Sequence, residues 1–191
     1  MVIPFDFQQA AIGGVIVISP FNADDLRGSF TKDYSREIFA AHGVYHNIEE
    51  VFYTTSKRGV IRALHFQRVK HQPKLVRCLW GHVWDVVVDL RKDSPTFRKW
   101  LSFDLSSDNR REILVPAGCA HGYLVMEDSV VSYKCSEKFY SEYDDGIVWN
   151  DSTIGIDWPL EAIGGAANVI LSSKDRELQT FVQFMERHGG F

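Results

Sequence analysis

Short apolar runs separated by turn residues dominate the chain from Val15 to Trp149. They are Val15–Ile18, Val60–Leu64, Leu75–Leu79, His82–Val88, Trp100–Phe103, Glu112–Val115, Tyr123–Met126 and Val130–Tyr133, with Gly81, Gly118 and Gly146 as punctuation. Runs of this length, rich in Val, Ile and aromatic residues and bounded by turn formers, predict strands. So many strands at close spacing indicate a sandwich or jelly-roll barrel rather than βαβ units. Two segments carry helical spacing instead. Ser35 to His42 is short, with Ile38 and Phe39 apolar and Gly43 as a stop. Ser173 to His188 is predicted as one C-terminal helix, with Leu178, Phe181, Val182 and Met185 on one face and Gly189 ending it. Ser172 or Ser173 caps its start, and Asp175 falls in its first turn. No repeat, low-complexity stretch or linker divides the chain. The expectation is one all-β domain over residues 1–191, a small jelly-roll β-barrel with a short N-terminal helix and a C-terminal helix.

Composition narrows the function classes. The chain has 191 residues, 45% hydrophobic and 24% charged, ordinary values for one globular domain with a sizeable core. A formal charge of −4 gives no reason to expect nucleic acid or an anionic membrane as partner. No apolar run approaches the ~20 residues that span a bilayer. The start, Met1-Val2-Ile3-Pro4-Phe5-Asp6, lacks the basic region and cleavage site of a signal peptide. Cys78, Cys119 and Cys135 are odd in number, form no CxxC pair and sit in strand-like contexts, which reads as buried free thiols in a reducing cytoplasm. A cytoplasmic protein is expected.

The chemistry concentrates in two places. Arg62-Ala63-Leu64-His65-Phe66-Gln67 sets one histidine on an apolar-flanked strand, and Pro116-Ala117-Gly118-Cys119-Ala120-His121 brings a second just past a turn. Gly59-x5-His65-x-Gln67 and Pro116-x-Gly118-x-x-His121 resemble the two motifs of the cupin superfamily, except that Gln67 stands where a second histidine is usual. A metal site needs three or more convergent N/O ligands, so His65 and His121 beside a neutral Gln67 make a poor set, and no metal is expected. A walled pocket remains, with His65, Lys74, Arg62, His121 and Tyr133 around it. Strict alternation puts Arg62 and His65 on opposite faces of their strand, so aiming both at one ligand requires a bulge or a barrel edge.

A longer series of motifs resembles the dTDP-4-dehydrorhamnose 3,5-epimerase family. It comprises Arg62–Gln67, Lys74-Leu75-Val76-Arg77-Cys78, Asp85–Arg91, Asp93-Ser94-Pro95-Thr96-Phe97, Pro116–Gly122, Tyr133-Lys134-Cys135, Trp149-Asn150-Asp151, Ile154–Pro159 and Leu171-Ser172-Ser173-Lys174-Asp175. These run in family order from about Leu26 to Asp175. The resemblance implies a cofactor-free and metal-free dimeric jelly roll acting on a nucleotide-activated 4-keto-6-deoxyhexose. A C4 ketone acidifies the hydrogens on C3 and C5, so a base can remove one and leave an enolate. By resemblance, His65 is that base, a residue type whose ordinary pKa of ~6.5 suits the task. Asp175 orients it, Lys74 stabilises the enolate oxygen, and Tyr133 returns a proton to the opposite face. Arg27, Arg62, His121 and Lys174 match substrate contacts. Glu50, Phe52, Gln67 and Tyr140 complete the candidate set, with Tyr140 a rival of Tyr133 for the acid role.

Taken singly, each residue has a plainer reading. His65 could be a satisfied core histidine, Asp175 a charge at a helix N-terminus, Tyr133 a packing residue, and Lys74 and Arg62 edge charges. The chain also departs from the family where the nucleotide base is read. The family's Arg-Gly-Phe-Phe-x-Glu, whose acid reaches the base of a neighbouring subunit, becomes Arg27-Gly28-Ser29-Phe30-Thr31-Lys32, and Gln-x-Asn becomes Glu50-Val51-Phe52. Arg-Gly-Leu-His becomes Arg62-Ala63-Leu64-His65. An acid accepts from thymine N3–H, whereas cytosine offers an acceptor there, so Lys32 and Glu50 either suit another base such as that of CDP or reflect drift around a dTDP site. Motif order leaves open whether C3, C5 or both are inverted.

Overall fold

The computed structural model describes all residues from Met1 to Phe191. In chain order the strands are β1 (Val2–Ile3), β2 (Asp6–Gln9), β3 (Ile16–Ser19), β4 (Phe21–Asp25), β5 (Gly28–Lys32), β6 (Glu50–Ser56), β7 (Ile61–Gln67), β8 (Lys74–Asp89), β9 (Trp100–Ser106), β10 (Glu112–Val115), β11 (Cys119–Cys135) and β12 (Asp144–Gly146). Helix α1 (Arg36–Ala41) lies between β5 and β6, and α2 (Ser173–Arg176) and α3 (Phe181–His188) close the chain.

Two long strands organise the fold. β8 and β11 run antiparallel along their whole length, from Cys119 opposite Asp89 to Cys135 opposite Lys74, with the register broken between Val125 and Val131. Each changes its outer neighbour at that break. Beyond it, His82–Val88 pairs with β9 and His121–Leu124 with β7, which carries β12 on its far side. Before it, Lys74–Arg77 pairs with β10, Ser129–Cys135 pairs with β6, and β3 and β2 extend the layer. The result is a jelly-roll sandwich of the cupin type in which one strand pair belongs to both sheets. Each of these strands reads in sequence as two runs split by a turn. Gly81 is the reason they are continuous: it sits inside β8 at φ 78°, and a Cβ there would come 2.1 Å from the Asp128 carbonyl oxygen. Only a glycine lets the bent pair close. A separate three-stranded sheet, β1-β4-β5, stands beside the sandwich.

The inner core between the layers gathers Val76, Val83, Val87, Ile113, Val125 and Val131. Val86 and Val88 point the other way, into a second cluster with Leu64, Leu124, Trp158, Phe181 and Phe184, where the C-terminal segment covers the sheet. Because both faces of this stretch are buried, Val86-Val87-Val88 is a continuous apolar run. Helix α1 covers the opposite sheet through Phe39 against Ile16, Ile18 and Leu75. It is six residues long and follows five strands. The single C-terminal helix expected over Ser173–His188 is instead two. Val148 N–H donates to the Gln179 carbonyl, so Gln179 bridges in parallel to Ile147, and Thr180 with Gln183 forms a capping box that starts α3 afresh. The buried face of α3 is accordingly Phe181 and Phe184, with Val182 49% exposed. Cys78, Cys119 and Cys135 are all buried and free. No helix is long and apolar enough to cross a membrane.

Candidate active site

A cavity of about 290 Å³ opens between the two layers. β7 brings both Arg62 and His65 to it despite the alternation of strand faces. His65 lies opposite His121 but Arg62 lies opposite Tyr123, so three steps along β7 match two along β11 and one residue of β7 is extra. This bulge re-aims the strand and turns both side chains inward. Gly122 permits it, since a Cβ at that position would stand 2.5 Å from Ala63 Cβ and 2.7 Å from the Arg62 carbonyl oxygen.

His65 Nε2 lies 2.7 Å from Asp175 Oδ1. The oxygen stands off the axis of the ring N–H, so the pair is a close contact rather than an aligned hydrogen bond, a common state of catalytic pairs before substrate tightens them. Ser172 at the start of α2 fixes the carboxylate: its hydroxyl donates to Asp175 Oδ2 at 2.7 Å and accepts the Asp175 N–H at 3.0 Å. Burial would raise the Asp175 carboxyl, but the His65 ring and the Ser172 hydroxyl outweigh it and hold the group below its ordinary range. The carboxylate thus stays ionised beside the imidazole.

Tyr133 enters from the other layer, on the half of β11 that pairs with β6. Its ring stacks on Phe52 (centroids 4.8 Å apart, planes at 14°) and meets His121 edge-on at 5.9 Å. Burial pushes its phenol well above the ordinary value, so it remains protonated. Lys74 lines the cavity from the start of β8, with no hydrogen bond to its amine within the chain. Burial lowers the pKa of this ammonium, and the charges of Cys135, Asp144 and Asp85 oppose that effect. His121 Nε2 is 2.8 Å from Asp85 Oδ2, and both residues are buried. Arg62 Nε donates to Ser56 Oγ at 3.0 Å.

The remaining candidates divide. Phe52 and Lys174 line the cavity, Lys174 through an ion pair with Asp144. Gln67 lies in the wall, but its amide is committed to main chain: Nε2 donates to the Lys70 and Lys138 carbonyls and Oε1 accepts the Tyr140 N–H. Gln67, expected as a substrate contact, lines the cavity and also clamps the 138–140 loop. Glu50 is likewise turned away, its Oε1 accepting from Gln72 and from the Phe139 N–H. The Tyr140 ring rests on Tyr143, and its hydroxyl reaches Glu137 rather than the cavity. Arg27 pairs with Asp25 in the β4–β5 turn, and Lys32 sits over the Phe21 ring, so neither reaches the cavity of its own chain. Sequence reasoning passed over Asp85, Asp144 and Thr54 as site residues, and read Ser172 only as a candidate helix cap. For Asp85 the signal was present, an acid inside the apolar run Val83-Trp84-Asp85-Val86, which has to find a partner when buried.

A family model described as dTDP-4-dehydrorhamnose 3,5-epimerase matches residues 9–183. The dTDP-4-dehydrorhamnose 3,5-epimerase of Methanothermobacter thermautotrophicus is 45% identical over 173 residues, covering 90% of this chain and 92% of that protein. Among solved structures, the dTDP-4-dehydrorhamnose 3,5-epimerase of Bacillus anthracis with TDP and PPi bound superimposes with a TM-score of 0.87 at 37% identity, covering 93% of this chain and 100% of the other. The dTDP-6-deoxy-D-glucose-3,5-epimerase of Legionella pneumophila, in complex with dTDP-4-keto-L-rhamnose, gives 0.86 at 32% identity with 93% of each chain covered. With a family model spanning nearly the whole chain and relatives of this identity and coverage, the chain belongs to the dTDP-4-dehydrorhamnose 3,5-epimerase family.

Proposed function

We propose that the protein inverts C3 and C5 of a dTDP-linked 4-keto-6-deoxyhexose by proton transfer through an enolate. The observation that carries this reading is the placement of a base and an acid on opposing layers of one cavity. His65 projects from β7 with Asp175 behind it, and Tyr133 projects from the half of β11 in the other sheet. His65 removes the acidic C–H from one face of the ring, and the Asp175 carboxylate stabilises the imidazolium that forms. Negative charge moves to the C4 oxygen, where the free Lys74 ammonium and Arg62 are the available cations. Tyr133, kept protonated by burial, delivers a proton to the other face and inverts the centre. Tyr140, turned to Glu137, is the weaker candidate for the acid.

The nucleotide is dTDP, as in the relatives with bound TDP and dTDP-4-keto-L-rhamnose. Glu50 does not line the cavity and has one carboxylate oxygen held by Gln72 and Phe139, which favours this nucleotide over one with cytosine. Arg27 and Lys32 are exposed and do not line the cavity, which supports a homodimer in which each subunit offers them to its neighbour's site. Three buried reduced thiols suit the cytoplasm. The decisive experiment incubates the protein with dTDP-4-keto-6-deoxyglucose in heavy water. Deuterium should enter C3 and C5, and His65→Ala should abolish entry while dTDP still binds. Retained exchange in that variant removes His65 as the base. Titration with dTDP and CDP tests the nucleotide, with dTDP expected to bind tighter. A monomeric solution mass at full activity overturns the shared site.

A further inference from the structure

Phe52 is an aromatic side chain with no part in the core. It lines the cavity, is 38% exposed and belongs to none of the buried clusters. Its one aromatic contact is Tyr133, which lies directly opposite it in the β6–β11 register. Directly opposed residues share one face of the sheet, so both rings point into the cavity and stack, centroids 4.8 Å apart and planes at 14°. A second ring bounds Tyr133. The His121 imidazole meets it edge-on at 5.9 Å, and Asp85 holds that imidazole in turn at 2.8 Å. Ring contacts on two sides therefore set where the Tyr133 hydroxyl points. Where the family pattern carries Asn, this chain carries a ring that can stack.

Aim matters because the enolate has two fates. His65 takes the proton from carbon and, being partly exposed, trades it with solvent. The carbon is then reprotonated by Tyr133 on the opposite face, which inverts it, or by His65 on the face the proton left, which restores it. Either way one C–H bond breaks and one forms. After inversion the tyrosinate regains a proton from solvent and the imidazolium gives one up. A misplacement of about 1 Å costs such a transfer about 100-fold, so the position of the phenol decides which donor wins. Resting on the epimerase reading above, we propose that Phe52 is a positioning residue: its ring, with that of His121, clamps Tyr133 so that inversion outruns return of the proton from His65. Phe52 acts through Tyr133 and is not a catalytic residue.

The test follows wild type, Phe52→Leu and Phe52→Tyr on dTDP-4-keto-6-deoxyglucose in heavy water. Proton NMR scores deuterium that enters with inversion against deuterium that enters with retention. Leucine keeps apolar bulk but removes the ring face, whereas tyrosine keeps the ring. With the clamp, Phe52→Leu lowers the ratio of inversion to retention about tenfold at unchanged KM, and Phe52→Tyr holds it within about twofold of wild type. In a Tyr133→Phe background only entry with retention remains, and the effect of Phe52→Leu disappears because no phenol is left to aim. An unchanged ratio in Phe52→Leu overturns the clamp and leaves the stack as packing. A raised KM, or a further loss in the Tyr133→Phe background, overturns it too and makes Phe52 a substrate contact. Phe52→Met, of similar bulk, decides the matter if Phe52→Leu unfolds. Failure of the wild type itself to exchange either carbon rejects the epimerase reading, and the clamp with it, whereas normal wild-type exchange with an unchanged ratio in the variant rejects the clamp alone.

Discussion

Asp175→Asn removes one charge from the site and almost no volume. The Ser172 cap survives, because the residue 175 N–H still donates to Ser172 Oγ. What is lost is the carboxylate 2.7 Å from His65 Nε2. Two unit charges about 4 Å apart interact by about 4 kcal/mol at an effective dielectric near 20, and by about 1 kcal/mol in water. The His65 side chain is 29% exposed and that of Asp175 only 7%, which sets the pair toward the first value. Losing about 2–4 kcal/mol of stabilisation of the developing imidazolium slows proton abstraction about 30- to 1000-fold. The assay is deuterium entry at C3 and C5 under saturating substrate, read by proton NMR. Asp175 does not line the cavity, so dTDP affinity measured by calorimetry should stay within about threefold of wild type, and the melting curve should confirm a folded variant. Exchange within threefold of wild type would refute the reasoning, since the carboxylate would then be a helix-start charge with no hold on the imidazole.

Other perturbations reach the scaffold around that pair. Gly122→Ala drives a methyl into Ala63 and the Arg62 carbonyl, so it should cost about 1–3 kcal/mol, lower Tm by several degrees and disable exchange by flattening the bulge; calorimetric scanning and the exchange assay read both effects. Gln67→His breaks the amide's three bonds to the Lys70, Lys138 and Tyr140 backbone, which should cost about 2–4 kcal/mol in urea denaturation and give no stoichiometric zinc on metal analysis. Glu112 is fully buried beside Lys134 and Arg77, and burial pushes its carboxyl up to about 8. A carboxyl whose folded pKa is raised stabilises in its protonated form below its unfolded pKa, and that stability declines as pH rises toward about 8. Glu112→Gln should therefore flatten the fall in Tm between pH 5 and pH 9, as thermal melts across about that range will show; an unchanged slope rejects the assignment.

The strands were legible because this fold alternates apolar and turn-forming segments, and the site residues because motifs hold their order. The misses share a cause. Gly81 reads as a turn, yet it lies within β8 because the Asp128 carbonyl approaches where a side chain would be, a tertiary contact no local pattern encodes. The C-terminal segment has helical spacing throughout, but Gln179 pairs its backbone with the sheet and the helix has to restart at Thr180. Alternation set Arg62 against His65, and the bulge that unites them depends on Gly122 on another strand.

Gln67 shows how a residue read in sequence for what it lacks can carry contacts that sequence does not show. In sequence it marks a histidine missing from a metal-binding pattern. In the fold its amide bridges β7 to the loop after β11, accepting from Tyr140 and donating to Lys70 and Lys138, so both amide hydrogens are spent on main chain. A histidine has two ring nitrogens and could not make those three bonds at once. The same position therefore either points a ligand into a barrel or ties down the loop that walls it. With the loop tied, Phe139 is held at the cavity, and His65 is left to answer to Asp175 alone. An imidazole shared with a metal has no lone pair for a C–H proton, so a glutamine at 67 and the base role proposed for His65 belong together.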